Sequence, residues 1–360
     1  MSSSPHRKTS FVQAWSAVAL AIAVLYFAVP LVSQTSGFIY FDAPDAGTAK
    51  GQGTAPICIN QGGVIAGDYY DSTGTPHSFV RDAGGQITEF DAPDLIDSYA
   101  SGINGKGQII GSGTYFTRQG GFSTGYLRNR SGLFLHIAPA GAVNTAPVGI
   151  NGSGEISGTF YDSAGVAHGF LRDTSGHYST IDEPDAVING PDSGTQVAGI
   201  NASGEVTGFY TYTSTFALRG FTRDLSGNFV AFDVPGAGTC AFCGTAPGFI
   251  NLSGKVSGTY VDNSFTEHGF VRDPAGNIVT FDVSDALGTD VDGMNDPGTI
   301  VGGWFNSATT FLGFERSAAG SIISFSAAPP SATNATAINN NGHITGYYVD
   351  AVGAEHGFVK

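Results

Sequence analysis

Asp290, Asp292 and Asp296 crowd around Gly293, and carboxylates so close in sequence offer the oxygen ligands that Ca2+ prefers. Their spacing matches no EF-hand loop, so solvated turn aspartates are the competing reading. Gly121-Phe122-Ser123-Thr124-Gly125 has the letters of the hydrolase elbow Gly-x-Ser-x-Gly. That elbow requires a strand-to-helix turn, and this segment falls in a hairpin, so Ser123 is not expected to be a nucleophile. Cys240 and Cys243 form Cys-x-x-Cys in a Gly-rich loop, with Cys58 far away. No helix N-terminus is at hand to lower a thiol pKa and no second ligand pair to complete a zinc site, which leaves a local disulfide as the expectation. Tyr210, Tyr212 and Phe216 in one long connection, with Phe116 and Phe122 in another, are the aromatics left over to stack on a ligand such as a sugar. The other fate for such rings is the core. No cofactor fingerprint accompanies these groups.

The elements that must position these side chains come from an internal period. Asn-x-x-Gly-x-Ile/Val-x-Gly begins at Asn60, Asn104, Asn151, Asn201, Asn251, Asn295 and Asn339, spaced by 44, 47, 50, 50, 44 and 44 residues. Each copy continues through a Tyr- or Phe-rich stretch, a turn such as Asp162-Ser163-Ala164-Gly165, and an aromatic followed two residues later by a base, as in Phe79/Arg81 or Phe358/Lys360. A second turn and a strand ending near Phe-Asp-x-Pro follow. Gly, Asn and Asp at the turns supply positive φ and local side-chain bonds, so each copy reads as four short strands, A to D, joined by tight hairpins. Mid-strand glycines, Gly67 and its six counterparts, are expected to mark bulges or close contacts.

Four-stranded antiparallel units at this spacing predict an all-β chain, a seven-bladed β-propeller over residues 37–360. A β-helix or sandwich is the alternative, since a period does not fix how units stack. The final copy stops after strand C at Lys360, while Gly37 to Pro44 reads as a strand D without its blade. The N-terminal strand is therefore expected to complete the last blade and remove two open edges.

Comparison of the copies also exposes a pattern of paired charges. His77 and Asp91, His168 and Asp182, and His268 and Asp282 are each 14 residues apart across the C–D hairpin. Arg219 keeps an acid at Asp233; Leu312 replaces the base where Ser326 replaces the acid, and in the second copy Thr124 faces Ile137 or its neighbour. Base and acid are lost together, as expected if either alone would be an unpaired polar group between blades. Closure predicts one more pair, His356 with Asp42, at opposite ends of the chain. A blade-stabilising role is expected for these pairs, because catalysis needs one dyad at a pocket rather than several around a ring.

Composition narrows the function. Gly contributes 53 residues, yet aromatics stand at 12%, so the chain is ordered and rich in turns. With 15 Lys and Arg against 30 Asp and Glu, the net charge of −15 argues against nucleic acid or anionic lipid as a partner. The turns after strand D and between B and C should face the same way and make one acidic face. Arg7 and Lys8 precede an uncharged run from Ala14 to Val32, which reads as an export signal over residues 1–36, either cleaved near Ser33 to Ser36 or kept as a membrane anchor over residues 12–33.

His168-Gly169-Phe170, His268-Gly269-Phe270 and His356-Gly357-Phe358, worn to His77-Ser78-Phe79 in the first copy, stand beside recurring Ile-Asn-x-x-Gly. The repeat resembles the bacterial extracellular repeats called the HAF family, over residues 37 to 360. The second, fourth and sixth copies lack the His. The resemblance implies a secreted protein and supplies no activity. The expected function is a non-enzymatic extracytoplasmic module that binds an unknown extracellular ligand, glycan or protein, with membrane contact only through the N-terminal segment. The alternatives are a carboxylate-dependent glycan hydrolase or lyase, and a structural cell-envelope protein.

Overall fold

The computed structural model describes residues 37–360 apart from 119, 189, 307–310 and 330. The expected export or anchor segment lies outside the described residues. The first copy folds as Gly53–Ile59, Ile65–Tyr70, Pro76–Arg81 and Ile87–Phe90, each strand antiparallel to the next. The same three side-chain devices make its hairpins. Asn60 Oδ1 accepts from the amides of Gly62 and Val64 at 2.9 and 3.0 Å, Asp71 Oδ1 from Thr73 and Thr75, both at 2.8 Å, and Asp82 Oδ1 from Gln86 at 2.8 Å. Each side chain mimics a backbone turn, so the chain reverses direction without an unsatisfied amide.

The expected bulge lies in strand A and not in strand B. Register shifts between Pro56 and Cys58, opposite Gly67. A Cβ on Gly67 would collide with the Ala55 carbonyl oxygen, so the bulged strand comes too close for any side chain there.

Two ladders join successive sheets. In the first, Nδ2 of each repeat asparagine reaches a carbonyl of the next copy: Asn60 to Asn104 (3.0 Å), Asn104 to Asn151 (3.1 Å), Asn151 to Asn201 (3.4 Å) and Asn201 to Asn251 (3.1 Å). Asn251 reaches Asp296 at 3.1 Å, one residue past the pattern, and Asn295 reaches Asn339 at 3.0 Å. Asn339 then donates to Asn60 at 3.0 Å, which brings the run back to its start. In the second ladder a base on strand C lies over an aromatic of the preceding copy: Arg128 over Phe90 at 4.5 Å, Arg272 over Phe232 at 4.9 Å, Arg316 over Phe281 at 4.7 Å and Lys360 over Phe325 at 5.0 Å. Between the ladders lie the cores, each drawn from neighbouring copies, as where Ile65, Tyr69 and Phe79 pack with Ala337 and Val359.

The last copy supplies Ala332–Ile338, Ile344–Val349 and Glu355–Val359. Its fourth strand is Ile39–Phe41, antiparallel to Glu355–Val359 with Ile39 opposite Val359 and Phe41 opposite Gly357. Arg81 of the first copy lies 4.7 Å over Phe41, so this strand also takes its place in the second ladder.

Candidate functional site

The paired charges were placed first by sequence and are close in space. His77 Nδ1 lies 2.9 Å from Asp91, His168 Nδ1 2.9 Å from Asp182, and His268 Nδ1 3.0 Å from Asp282. Arg219 Nε lies 3.0 Å from Asp233, and His356 Nδ1 meets Asp42 at 3.0 Å from the far end of the chain. Sequence reasoning missed the other half of each arrangement. The Nε2 atoms face Asp71, Asp162, Asp262 and Asp350 at 3.7, 3.8, 3.7 and 3.5 Å. The rings stack on Tyr69, Phe160, Tyr260 and Tyr348 with centroids 4.8 to 5.1 Å apart. The signal was present, since each of these acids precedes its histidine by six residues. Burial alone would lower the His356 imidazolium, but its bonds to Asp42 and Asp350 outweigh that and raise its pKa.

A second group of titratable side chains lies on strands A, B and C of the last three copies. Asp290 Oδ1 accepts from Thr259 Oγ1 at 2.8 Å. Burial pushes Asp290 and Asp292 above the usual carboxylate range, and burial together with the Asp290 charge lifts Glu267 to about 7. Glu355 and Tyr347 beside them are raised by burial as well. Asp292 Oδ2 and Asn334 Oδ1 are buried without a hydrogen-bond partner. The sequence-based Ca2+ trio is corrected here. Asp290 and Asp292 belong to strand Gly288–Met294, whereas Asp296 sits in the turn beyond it, where its Oδ1 accepts from Leu252 N at 2.9 Å and its Oδ2 from Asn340 Nδ2 at 2.7 Å. Among the described residues no group of three or more His, Cys, Asp or Glu side chains is placed to hold a metal ion.

The aromatic candidates separate. Tyr210 is corrected to a core residue: it is 0% exposed, because its position in strand Val206–Thr211 points between sheets, where it packs with Val197 and Phe221. Tyr212 packs against the same cluster, with Arg219 6.0 Å over its ring. Phe122 is half-buried against Tyr115 at 6.0 Å, while Phe116 is 69% exposed. Phe216 stacks on Phe242 at 5.9 Å, a ring that sequence reasoning did not single out. Cys240 and Cys243, on either side of Phe242, are joined by a disulfide. Ser123 lies inside strand Gly120–Arg128 opposite Thr114, with its amide on Asn144 Oδ1 at 2.9 Å, so no elbow exists there.

The connections between B and C and those after D meet at one end of the sheets. Gly51 N donates to Gly353 O at 2.9 Å, Asp192 N to Gly165 O at 3.3 Å and Phe242 N to Phe216 O at 3.0 Å, each bond joining a D–A connection to the B–C turn of the copy before it. Phe116, Phe216, Phe242 and Phe265 all belong to this end, beside Asp71, Asp162, Asp192, Asp262 and Asp285. At the opposite end a groove of about 380 Å³ is lined by Glu205, Arg223, Asp224 and Arg272 among others. Its acids accept hydrogen bonds from their own turns, Asp224 Oδ1 from the Asn228 amide at 2.8 Å and Glu205 Oε2 from Asn201 Nδ2 at 2.7 Å.

No family model matches the chain, and no curated protein does. Solved structures do match. One reported for two prolyl endopeptidases has a TM-score of 0.54 at 10% identity over 81% of this chain and 45% of that one. A PL25 ulvan lyase bound to an oligosaccharide has a TM-score of 0.52 at 9% identity over 86% and 93%. An acylaminoacyl peptidase of Pyrococcus horikoshii has 0.50 at 9% over 83% and 50%. The chain spans about half the length of these peptidases. Identities this low carry the fold alone: an all-β protein of repeated four-stranded antiparallel sheets, like β-propeller domains.

Proposed function

We propose that the chain is an exported seven-bladed β-propeller, closed by its N-terminal strand, that works as a non-catalytic binding module through the end formed by the B–C and D–A connections. The observation that carries the reading is the set of large apolar side chains held out at that end, Phe116 at 69%, Phe265 at 68% and Phe242 at 38% exposure, with turn aspartates at the same end. Exposed apolar groups rimmed by polar ones mark interaction sites. The asparagine circuit through all seven copies supports the blade count, and the basic flank and uncharged run before residue 37, with the HAF-like repeat, support export. The histidines support a module rather than an enzyme, because four near-identical His–Asp arrangements around the sheets are what packing needs. Screening the purified protein on glycan and peptide arrays, with and without Ca2+, tests the proposal. Binding that survives chelation, with no turnover of polysaccharide or ester substrates, is expected. Turnover at a kcat within the ordinary enzyme range, about 1 s⁻¹ or more, would overturn it.

A further inference from the structure

The sister copies supply a reference for what each turn position needs. In the B–C turn the residue three after Asp71, Asp162 or Asp350 is Gly74, Gly165 or Gly353, with φ of 81, 80 and 93°. Glycine is the residue such a conformation favours. In the fourth and fifth copies that position holds Phe216 and Phe265, with φ of 62 and 61°. The D–A connections repeat the exchange. Gly51 and Asp192 occupy their left-handed positions with φ of 74 and 66°, and the corresponding residue before the fifth copy is Phe242, at 62°. Three bulky aromatics thus stand at left-handed positions that the sister copies fill with glycine or aspartate, all in two adjacent copies and all at the same end. A left-handed phenylalanine is a true outlier, and such strain persists where the surroundings enforce it. The surroundings do so here. Phe242 is bracketed by the Cys240–Cys243 disulfide, its amide is held by Phe216 O, and Cys243 O accepts from Leu218 N at 2.8 Å. Cys240 Sγ lies 3.8 Å from Asp262 O, which ties the disulfide to the turn that carries Phe265.

Phe265 is 68% and Phe242 38% exposed, and Phe216 and Phe242 lie within 26° of parallel, so they present one platform. Asp262 opens the Phe265 turn, Asp192 belongs to the neighbouring D–A connection, and the nearby cation Arg219 is already held by Asp233. Aromatic faces rimmed by carboxylates on a protein of net charge −15 select positive charge attached to apolar surface.

Resting on the reading of this end as the binding face, we infer that Phe216, Phe242 and Phe265 form a docking platform for a cationic, aromatic-rich peptide segment of a partner protein. The test compares the parent with the variant Phe216→Gly/Phe242→Gly/Phe265→Gly. The probe is a labelled peptide of alternating lysine and tryptophan, followed by fluorescence anisotropy at low and high salt, beside a glutamate-for-lysine control and neutral oligosaccharides. Glycine fits all three positions, so the variant should melt at or above the parent's temperature while its affinity for the lysine peptide falls about tenfold or more. A lower melting temperature would make the rings packing residues and overturn the inference. Equal peptide affinity in parent and variant would overturn it too, while leaving the binding-module reading intact. Preference for the oligosaccharide, or for the glutamate peptide, would overturn the choice of partner. A parent that binds no probe on any array would instead bring down the proposed function itself.

Discussion

Deletion of residues 37–44 lowers the melting temperature by roughly 10 °C or more. The segment does four jobs at once. Ile39–Phe41 completes the last sheet; Phe38 packs edge-on against Phe358 at 5.4 Å; Phe41 receives Arg81; and the buried Ala43 donates its amide to Thr54 Oγ1 at 2.9 Å. Phe38 and Phe41 are both half-buried, so losing them costs about 2 kcal/mol each, the lost strand pairing and caps add several kcal/mol more, and in a domain of this size each kcal/mol moves the midpoint by about 1.5 to 2 °C. The deletion also bares the edge of Glu355–Val359, so aggregation at the transition is expected. Calorimetry of both proteins provides the measurement, and an unchanged midpoint would mean that the segment does not close the structure.

Stability also falls as pH rises from about 5 to 8, opposite to the trend of proteins held by ion-paired carboxylates. Glu267, Asp290, Asp292 and Glu355, together with the buried Asp68, have pKa values raised by burial, and His356 is raised by its two carboxylates. Groups whose folded pKa lies above the unfolded one stabilise fully below the unfolded value, and that contribution disappears as pH passes the folded value. For Glu267 the window runs from 4.5 to about 7 and is worth about 3 kcal/mol. On the acid side the turn aspartates act with the opposite sign: Asp71, lowered to about 2 by its bonds to Thr73 and Thr75, and likewise lowered Asp162 and Asp262, contribute above the unfolded value and lose their effect as pH drops below about 4. Urea midpoints should therefore peak near pH 5. Glu267→Gln should flatten the decline above that value, and a midpoint that rises steadily to pH 8 would contradict the assignment.

What was legible in the sequence was whatever repeats. Seven copies of one pattern announced the strands, the turns and the His–Asp partners, because each copy is read against six others. The asparagine at the head of the repeat was visible at every copy, but its reach to the next copy's carbonyl depends on how sheets stack, which a linear period does not encode. Features confined to one copy were read less well. Tyr210 looked like a free ring in a long connection, yet it lies in a strand that is buried on both faces. Asp296 lay near Asp290 and Asp292 in sequence, but a strand end separates turn from ladder. Phe242 and Phe265 went unremarked because only their φ angles, beside the glycines of sister copies, make them unusual.

The account stands on the chain's two ends meeting as neighbouring strands, and the pair Asp42 and His356 tests this most directly. These residues are 314 positions apart and 3.0 Å apart in space, while His168 and Asp182 make the same contact within one sheet at 2.9 Å. Double-mutant cycles with Asp→Asn and His→Leu in each pair should give the same coupling, about 0.5 to 1 kcal/mol for pairs with half-exposed acids. Matching energies are the predicted result. Coupling at His168 and Asp182 with strict additivity at Asp42 and His356 would contradict closure.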